Sequence, residues 1–174
     1  MSLRVGVPKE TKPMEGRIAL TPDAVGELVR RGNEVAVQCD AGRGSGYLDS
    51  AYQAVGAQLL PDADALYAWA QLVVKVKEPV GDEIDRLRSD HLLFSYLHLA
   101  AAPELTRRLC AIGLTAVAFE TVVDQGRLPI LAPMSDIAGR IAVQVGTHLL
   151  HTPQGGKGIL LGGLASVARG NVVV

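Results

Sequence analysis

Basic side chains stand where predicted β-strands end, and together they could bind and transform a small anion. Arg17 lies in the loop after the first predicted strand, Lys75 and Lys77 close a later strand, and His98 directly follows another. An arginine guanidinium clamps a carboxylate through a fork of hydrogen bonds. A lysine ammonium polarises a carbonyl oxygen, and a histidine moves protons near neutral pH. The set therefore suits a small anionic substrate.

Each of these residues also has a plain structural interpretation. An arginine in a polar loop is usually a solvated charge, and lysines at strand ends are usually exposed edge charges. A histidine after an apolar strand more often makes a structural hydrogen bond than takes part in catalysis. Lys75 is interpreted as a charge that neighbours Lys77 on the same strand. From the residues alone, a common site formed by Arg17, Lys77 and His98 is therefore one hypothesis, and separate structural roles are the other.

The elements that would position these residues alternate between strand and helix. Five strands are predicted, over residues 3–7, 34–38, 72–77, 92–97 and 114–119. Helical segments are predicted over residues 22–31, 49–55, 63–70, 82–87 and 103–112. This alternation predicts an α/β fold, flavodoxin-like or more broadly Rossmann-like, with a parallel sheet and helices on both faces. Ligands of such sheets bind outside the carboxyl ends of the strands, where the basic residues stand.

The last part of the sequence has a different character. A long helix is predicted from Ser135 to His151, with apolar residues every fourth position, and it stops at Pro153. We expect residues 1–134 to form a substrate-binding domain and residues 135–174 to form a connecting helix and the start of a dinucleotide-binding domain. Asn171 to Val174 read as the opening of a buried strand, which predicts that the sequence is a fragment. The loop 155–158 lacks the Ser or Thr that a Walker loop places after its lysine.

Composition narrows the classes of partner. The net charge is −1, which argues against nucleic acid. Hydrophobic residues make up 48%, yet no run is long enough to predict a membrane helix, and no signal peptide is recognised. Cys39 and Cys110 are predicted to be buried and unpaired, as in a reducing cytoplasm. His148 and His151 lie one helical turn apart, but without further ligands nearby no metal site is predicted.

Five segments in one order are similar to a known family. They are Val5–Lys12, Arg17–Pro22, Val74–Pro79, Leu97–Ala101 and Leu131–Arg140. The chain resembles the N-terminal part of alanine dehydrogenase, in the family that this enzyme shares with the NAD-binding part of proton-translocating transhydrogenase. The resemblance covers essentially the whole chain.

The resemblance implies roles for particular residues. Arg17 matches the arginine that binds the substrate carboxylate, Lys77 the substrate-contacting lysine, and His98 the proposed acid/base. Met134 matches a residue that lines the substrate, and Ser135 one beside the nicotinamide. The implied activity is NAD-dependent interconversion of L-alanine with pyruvate and ammonium. The implied protein is a cytoplasmic homo-oligomer, for which a hexamer is one expected form, and it does not act on membranes.

The same resemblance implies where the cofactor binds. NAD would be held mostly by residues beyond 174, because these 174 residues contain no Gly-x-Gly-x-x-Gly turn. We therefore expect the chain by itself to lack dehydrogenase activity. Two alternatives stay open: the NAD(H)-binding component of a transhydrogenase, and a keto-acid-binding or assembly module that performs no chemistry.

Overall fold

The computed structural model describes residues 2–167, 169 and 173. The chain forms two compact units, Met1–Val122 and Val123–Val174. The division between them falls upstream of residue 134, where the sequence predicted a domain boundary. The functional assignment of the two parts stays a prediction.

A parallel β-sheet forms the first unit. Within the described residues it has six strands: β1 (Arg4–Val7), β2 (Glu34–Gln38), β3 (Gln58–Leu60), β4 (Leu72–Val74), β5 (Leu92–Ser95) and β6 (Thr115–Ala118). The longer helices between them are α1 (Pro22–Arg30), α2 (Asp49–Ala54), α3 (Ala63–Trp69) and α4 (Pro103–Ile112). Every strand pair is parallel.

The strand order is β3-β2-β1-β4-β5-β6. This is the Rossmann order, whereas a flavodoxin-like sheet would run 2-1-3-4-5. The predicted parallel Rossmann-like fold is confirmed, and the topological switch point lies between β1 and β4. Arg17 follows β1 along the chain and Lys77 follows β4, so both sequence segments leave the sheet at this switch point.

One strand, β3, was missed by the sequence analysis. It has three residues at the edge of the sheet, and pairs only with β2 through Ala36, Val37 and Gln38. Three residues are too few for a period of two to be recognised. The strand predicted over 72–77 ends as regular structure at Val74, although the Lys75 amide still donates to the Phe94 carbonyl at 3.1 Å.

Apolar layers cover both faces of the sheet. Val25 of α1 and Tyr52 of α2 are fully buried on one face, where the two helices pack together. On the other face α3 and α4 enclose a cluster built mainly of leucines, namely Leu66, Leu93, Leu97, Leu105 and Leu109. Right-handed crossovers require this arrangement when the chain reverses direction at the switch point.

The start of α1 agrees with its sequence signals. The Thr21 hydroxyl accepts from the Ala24 amide at 3.4 Å, and Pro22 occupies the first helical position. Gly32 follows the helix at φ +84°, a conformation that glycine adopts without strain.

The second unit is built around one helix, α5 (Ala132–Leu150). It begins three residues before the predicted Ser135, because Pro133 is tolerated in a first turn whose amides have no helical partner. The predicted apolar face, with Ile137, Ile141, Val145 and Leu149, is exposed in this chain. Of the strand predicted over 171–174, all but Val173 lies outside the described residues.

The cysteines differ from expectation in one respect. Cys39 and Cys110 are unpaired, as predicted, but Cys39 is half-buried and Cys110 is exposed. The expectation of burial was wrong because Leu105 and Leu109 form the inward face of α4 and Cys110 points away from it. Across the part of the chain that the structure describes, no helix is long and apolar enough to span a membrane.

Candidate functional site

Arg17 is carried by the loop that follows β1. This loop lies against the loop that follows β2, where a Cβ on Gly44 would stand 2.4 Å from the Gly16 carbonyl oxygen. The Ser45 hydroxyl donates to the same oxygen at 3.0 Å. A glycine at 44 is therefore required for the two loops to approach. They border a cleft of about 210 Å³.

The Arg17 guanidinium is held by Glu15. Its Nε donates to Glu15 Oε1 at 2.8 Å and its NH2 to Oε2 at 2.6 Å, which is the fork geometry of a carboxylate complex. The Arg17 amide also donates to Oε1, at 3.0 Å. These hydrogen bonds lower the pKa of Glu15 from 4.5 to about 2, and the Lys77 ammonium adds to the effect.

Lys75 is not an exposed charge at the edge of the sheet. It was predicted only as a charge near Lys77, and the structure shows that it is buried between two carboxylates. Its side chain is 1% exposed, and its Nζ lies 3.2 Å from Glu10 Oε2 and 3.1 Å from Glu83 Oε1. Both carboxylates are nearly inaccessible as well. A buried ammonium needs such partners, because an unpaired buried charge is strongly unfavourable. Lys75 therefore serves the structure at the end of β4.

Lys77 is half-buried, two residues beyond Lys75. Glu10 fixes the backbone at this point: Oε1 accepts from the Val76 amide at 2.6 Å and Oε2 from the Lys77 amide at 3.3 Å. The same carboxylate thus joins the segment after β1 to the segment after β4. Lys77 acts on the Glu15 carboxylate, so Arg17 and Lys77 both act on one carboxylate group.

His98 occupies a strained turn directly after β5. Its backbone is left-handed, with φ +50° and ψ +38°, which is uncommon for a residue other than glycine. Glu120, after β6, stabilises the turn: its Oε1 accepts from the His98 amide at 2.6 Å, and both oxygens lie 3.3 Å from the Leu97 amide nitrogen. The imidazole is exposed and lies parallel to the Tyr96 ring, with centroids 6.2 Å apart.

Arg17 and His98 each influence the pKa of a neighbouring group, Tyr96 and Glu78 respectively. Burial raises the pKa of Tyr96, whereas the Arg17 guanidinium lowers it. Burial would also raise the pKa of Glu78, but an ion pair with Lys12, together with the charge of His98, holds it below its ordinary value. Tyr96 is thus influenced by Arg17 and stacks on His98, so it is a neighbour of both predicted site residues.

The predicted site residues lie in three places: two depressions of the first unit and the start of α5 in the second unit. Arg17 lines the cleft between the loops after β1 and β2, whereas His98 lines a second depression of about 330 Å³ that includes Glu120. Lys77 is coupled to the first group through Glu15. Met134 and Ser135 lie in the second unit near the start of α5, where Met134 is half-buried and Ser135 is exposed.

The sequence analysis missed the acidic residues of this region. Glu10, Glu15 and Glu120 each hold a predicted basic residue or its backbone. A usable signal existed, since Glu10 and Glu15 follow β1 closely and Glu120 follows β6. Carboxylates that follow strands are candidates for the same reason as basic side chains, since both reach the carboxyl edge of the sheet. Among the described residues, no group of three His, Cys, Asp or Glu could hold a metal ion.

The described residues do not fit the pyrophosphate of a dinucleotide. In a Rossmann fold a glycine-rich turn leads from β1 into a helix N-terminus and cradles this group. Here β1 leads instead into Pro8 and the carboxylate of Glu10, and the Arg17 loop intervenes before α1. The switch point of this sheet therefore carries charged side chains suited to a small ligand.

A parallel sheet of Rossmann order with charged residues at its switch point defines the chain as a Rossmann-like α/β domain with a candidate ligand site at that edge. The family model described as alanine dehydrogenase/PNT, N-terminal domain, matches residues 6–138, and the chain belongs to this family.

Curated relatives and solved structures agree with that family. The alanine dehydrogenases of Mycobacterium tuberculosis and Bacillus subtilis are 50% and 48% identical over 99% and 98% of this chain. A solved L-alanine dehydrogenase covers 97% of the chain and 46% of its own length, with a TM-score of 0.85 and 48% identity. A transhydrogenase from Sinorhizobium meliloti is more distant, with a TM-score of 0.63 and 31% identity over 67% of this chain and 33% of its own. The chain spans about half the length of the curated relatives it matches.

Proposed function

We propose that this chain is the substrate-binding part of an NAD-dependent L-alanine dehydrogenase. The reaction would convert L-alanine, NAD⁺ and water to pyruvate, ammonium, NADH and a proton, as a step of alanine catabolism. The support is the near-complete match of the chain to alanine dehydrogenases, together with the charged switch point. The more distant likeness to a transhydrogenase makes that component the weaker candidate.

One observation carries the substrate class. The two cations predicted to bind a substrate carboxylate, Arg17 and Lys77, already act on a carboxylate, that of Glu15. The Arg17 fork is oriented for such a group, and the adjoining cleft admits only a small molecule. Alanine and pyruvate both carry a carboxylate and are small enough.

The proposed mechanism assigns one task to each residue. Arg17 binds the carboxylate of alanine or pyruvate and so orients the molecule. Lys77 donates to the carboxylate or carbonyl oxygen and stabilises the negative charge that develops there. His98, exposed on its turn, transfers a proton as water adds to the imino acid and ammonia leaves. Met134 would line the substrate.

NAD, when bound, would supply the acceptor for the hydride that leaves the alanine Cα. We place most of its binding surface outside this chain and assign Ser135 to its nicotinamide end. Residues 1–134 would then bind substrate, and residues 135–174 would connect to the cofactor domain. From the family we also infer a cytoplasmic homo-oligomer, for which a hexamer is one expected form.

Activity measurements separate the candidates. The complete natural protein that contains this chain should form NADH from L-alanine and NAD, and the 174-residue chain alone should not. Hydride exchange between NADH and an NADP analogue without alanine turnover would support the transhydrogenase component instead. NADH formation by the chain alone would contradict the assignment of the cofactor site to residues outside it.

A further inference from the structure

Glu15 occupies the position in which a substrate carboxylate would be expected. Both of its oxygens accept from Arg17, at 2.8 and 2.6 Å, which is the pairing that arginine offers a bound carboxylic acid. Its side chain is 8% exposed, so it lies inside the cleft that Arg17 borders. The second proposed substrate cation, Lys77, acts on the same carboxylate.

A guanidinium edge that binds Glu15 through Nε and NH2 cannot bind a second carboxylate through the same two nitrogens. We infer that Glu15 is an internal competitor, which occupies the carboxylate subsite of Arg17 until the substrate displaces it. This inference rests on the proposed function, because it takes Arg17 as the residue that binds the substrate carboxylate. It adds that the affinity for substrate is set partly by Glu15.

The pair is built in a way that permits exchange. Glu15 and Arg17 belong to one loop, and the Arg17 side chain is 44% exposed, so water and ligand can reach it. The Glu15 carboxylate accepts its hydrogen bonds from Arg17, and Lys77 acts on it at longer range. A competitor that holds most molecules in the occupied state raises the apparent Kd in proportion.

The test is a titration of the 174-residue chain with pyruvate, followed by NMR. Glu15→Gln keeps the size of the side chain and removes its charge, so the Kd for pyruvate should fall about tenfold if the competitor holds about nine-tenths of the molecules. In the parent chain, pyruvate should shift the Arg17 Nε–H and Glu15 carboxyl resonances together, because their hydrogen bond breaks. Glu27→Gln is the matched control: Glu27 also pairs with arginines, Arg30 and Arg31, but on the exposed surface of α1. It should leave the Kd unchanged.

The outcomes separate the inference from the proposed function. Arg17→Met should weaken pyruvate binding; if it does not, the proposed function fails. If Arg17→Met weakens binding while Glu15→Gln weakens it or leaves it unchanged, only the inference is overturned, and Glu15 merely orients Arg17. Absence of binding by both the parent and Glu15→Gln also overturns the inference, because removal of a competitor must expose the subsite.

Discussion

Two clusters at the same edge of the sheet each pair a basic side chain with glutamates, and they differ in burial. In the inner cluster, Lys75 is 1% exposed between Glu10 and Glu83, whose side chains are 2% and 5% exposed. In the outer cluster, Arg17 is 44% exposed and pairs with Glu15. Glu10 joins them, since it binds the Lys75 ammonium and the Lys77 amide.

This difference indicates which charges stabilise the fold and which can act on a ligand. A buried ammonium between two carboxylates cannot change partners without leaving a buried charge unpaired, which is strongly unfavourable. The inner cluster therefore keeps its present pairing. The outer cations retain access to solvent, so a ligand can replace their present partner. Lys75 and Lys77 are two residues apart, and only their burial separates the structural from the proposed functional lysine.

The largest expected effect concerns catalysis by His98, which is exposed like the outer cluster. His98→Asn in the complete natural protein should lower alanine turnover by about 10²–10⁴-fold, the contribution of a general acid or base. Asparagine tolerates the left-handed conformation of this turn, so the backbone that Glu120 holds should persist. Steady-state kinetics measure the effect, with the melting temperature as the control for folding. Turnover within tenfold of the parent would remove His98 from the mechanism.

The inner cluster should show its effect on stability. Lys75→Met leaves Glu10 and Glu83 buried together without their cation, and should lower the free energy of unfolding by about 3–5 kcal/mol. Lys77→Met, the matched control, should change it by about 0.5 kcal/mol or less. Denaturant unfolding followed by fluorescence reports this, because the single tryptophan, Trp69, lies in α3 of the same unit.

A double variant tests whether the loss of stability in Lys75→Met comes from the unpaired carboxylates. Lys75→Met combined with Glu83→Gln removes one of the two stranded carboxylates and should recover part of the lost stability. Equal unfolding free energies for Lys75→Met and Lys77→Met would show that the two clusters do not differ as their burial indicates.

Ligand binding should give the opposite ranking of the two lysines. Lys77→Met should weaken pyruvate binding by about 10- to 100-fold, the contribution of a hydrogen bond to a charged group. Any variant at Lys75 that still folds should retain most of the affinity, because Lys75 cannot reach the cleft. Calorimetric or NMR titration with pyruvate measures both. Unchanged pyruvate affinity of Lys77→Met would mean that Arg17 binds the pyruvate carboxylate without a contribution from Lys77.

The sequence predicted the fold and the basic half of the site for identifiable reasons. Strand–helix alternation and the cap at Thr21 are local signals. The rule that ligands bind after strands selected Arg17, Lys75, Lys77 and His98, and the family resemblance then distinguished Lys77 from Lys75. The burial of Lys75 could not be predicted, because its partners Glu10 and Glu83 meet it only after the sheet has formed. The edge strand β3 was too short to recognise, and the role of Glu120 depends on the adjacency of β5 and β6.

The smallest expected effect concerns the two histidines on either side of β5, which differ in burial as the two clusters do. His98 is exposed after the strand, whereas His91 is 1% exposed before it. The His91 Nδ1 accepts from the Arg88 amide at 3.1 Å and its Nε2 lies 3.0 Å from the Tyr67 carbonyl oxygen, which requires the neutral ring. Burial, with a contribution from the Arg88 charge, lowers the pKa of His91 below its ordinary 6.5.

This lowered pKa gives a pH dependence of definite sign. Below about pH 6.5 the unfolded chain takes up a proton at His91 that the folded chain does not, so stability is fully present above that value and falls as the pH is lowered toward the folded pKa. The slope is at most about 1.4 kcal/mol per pH unit for one proton. Urea unfolding at about pH 7.5 and about pH 5.5, read from Trp69 fluorescence, should show the loss in the parent. His91→Gln can accept from the Arg88 amide without titrating, so its stability should vary less over this interval. An equal pH dependence of stability in the parent and in His91→Gln would mean that another group titrates. The burial of His91 would then not distinguish it from the exposed His98.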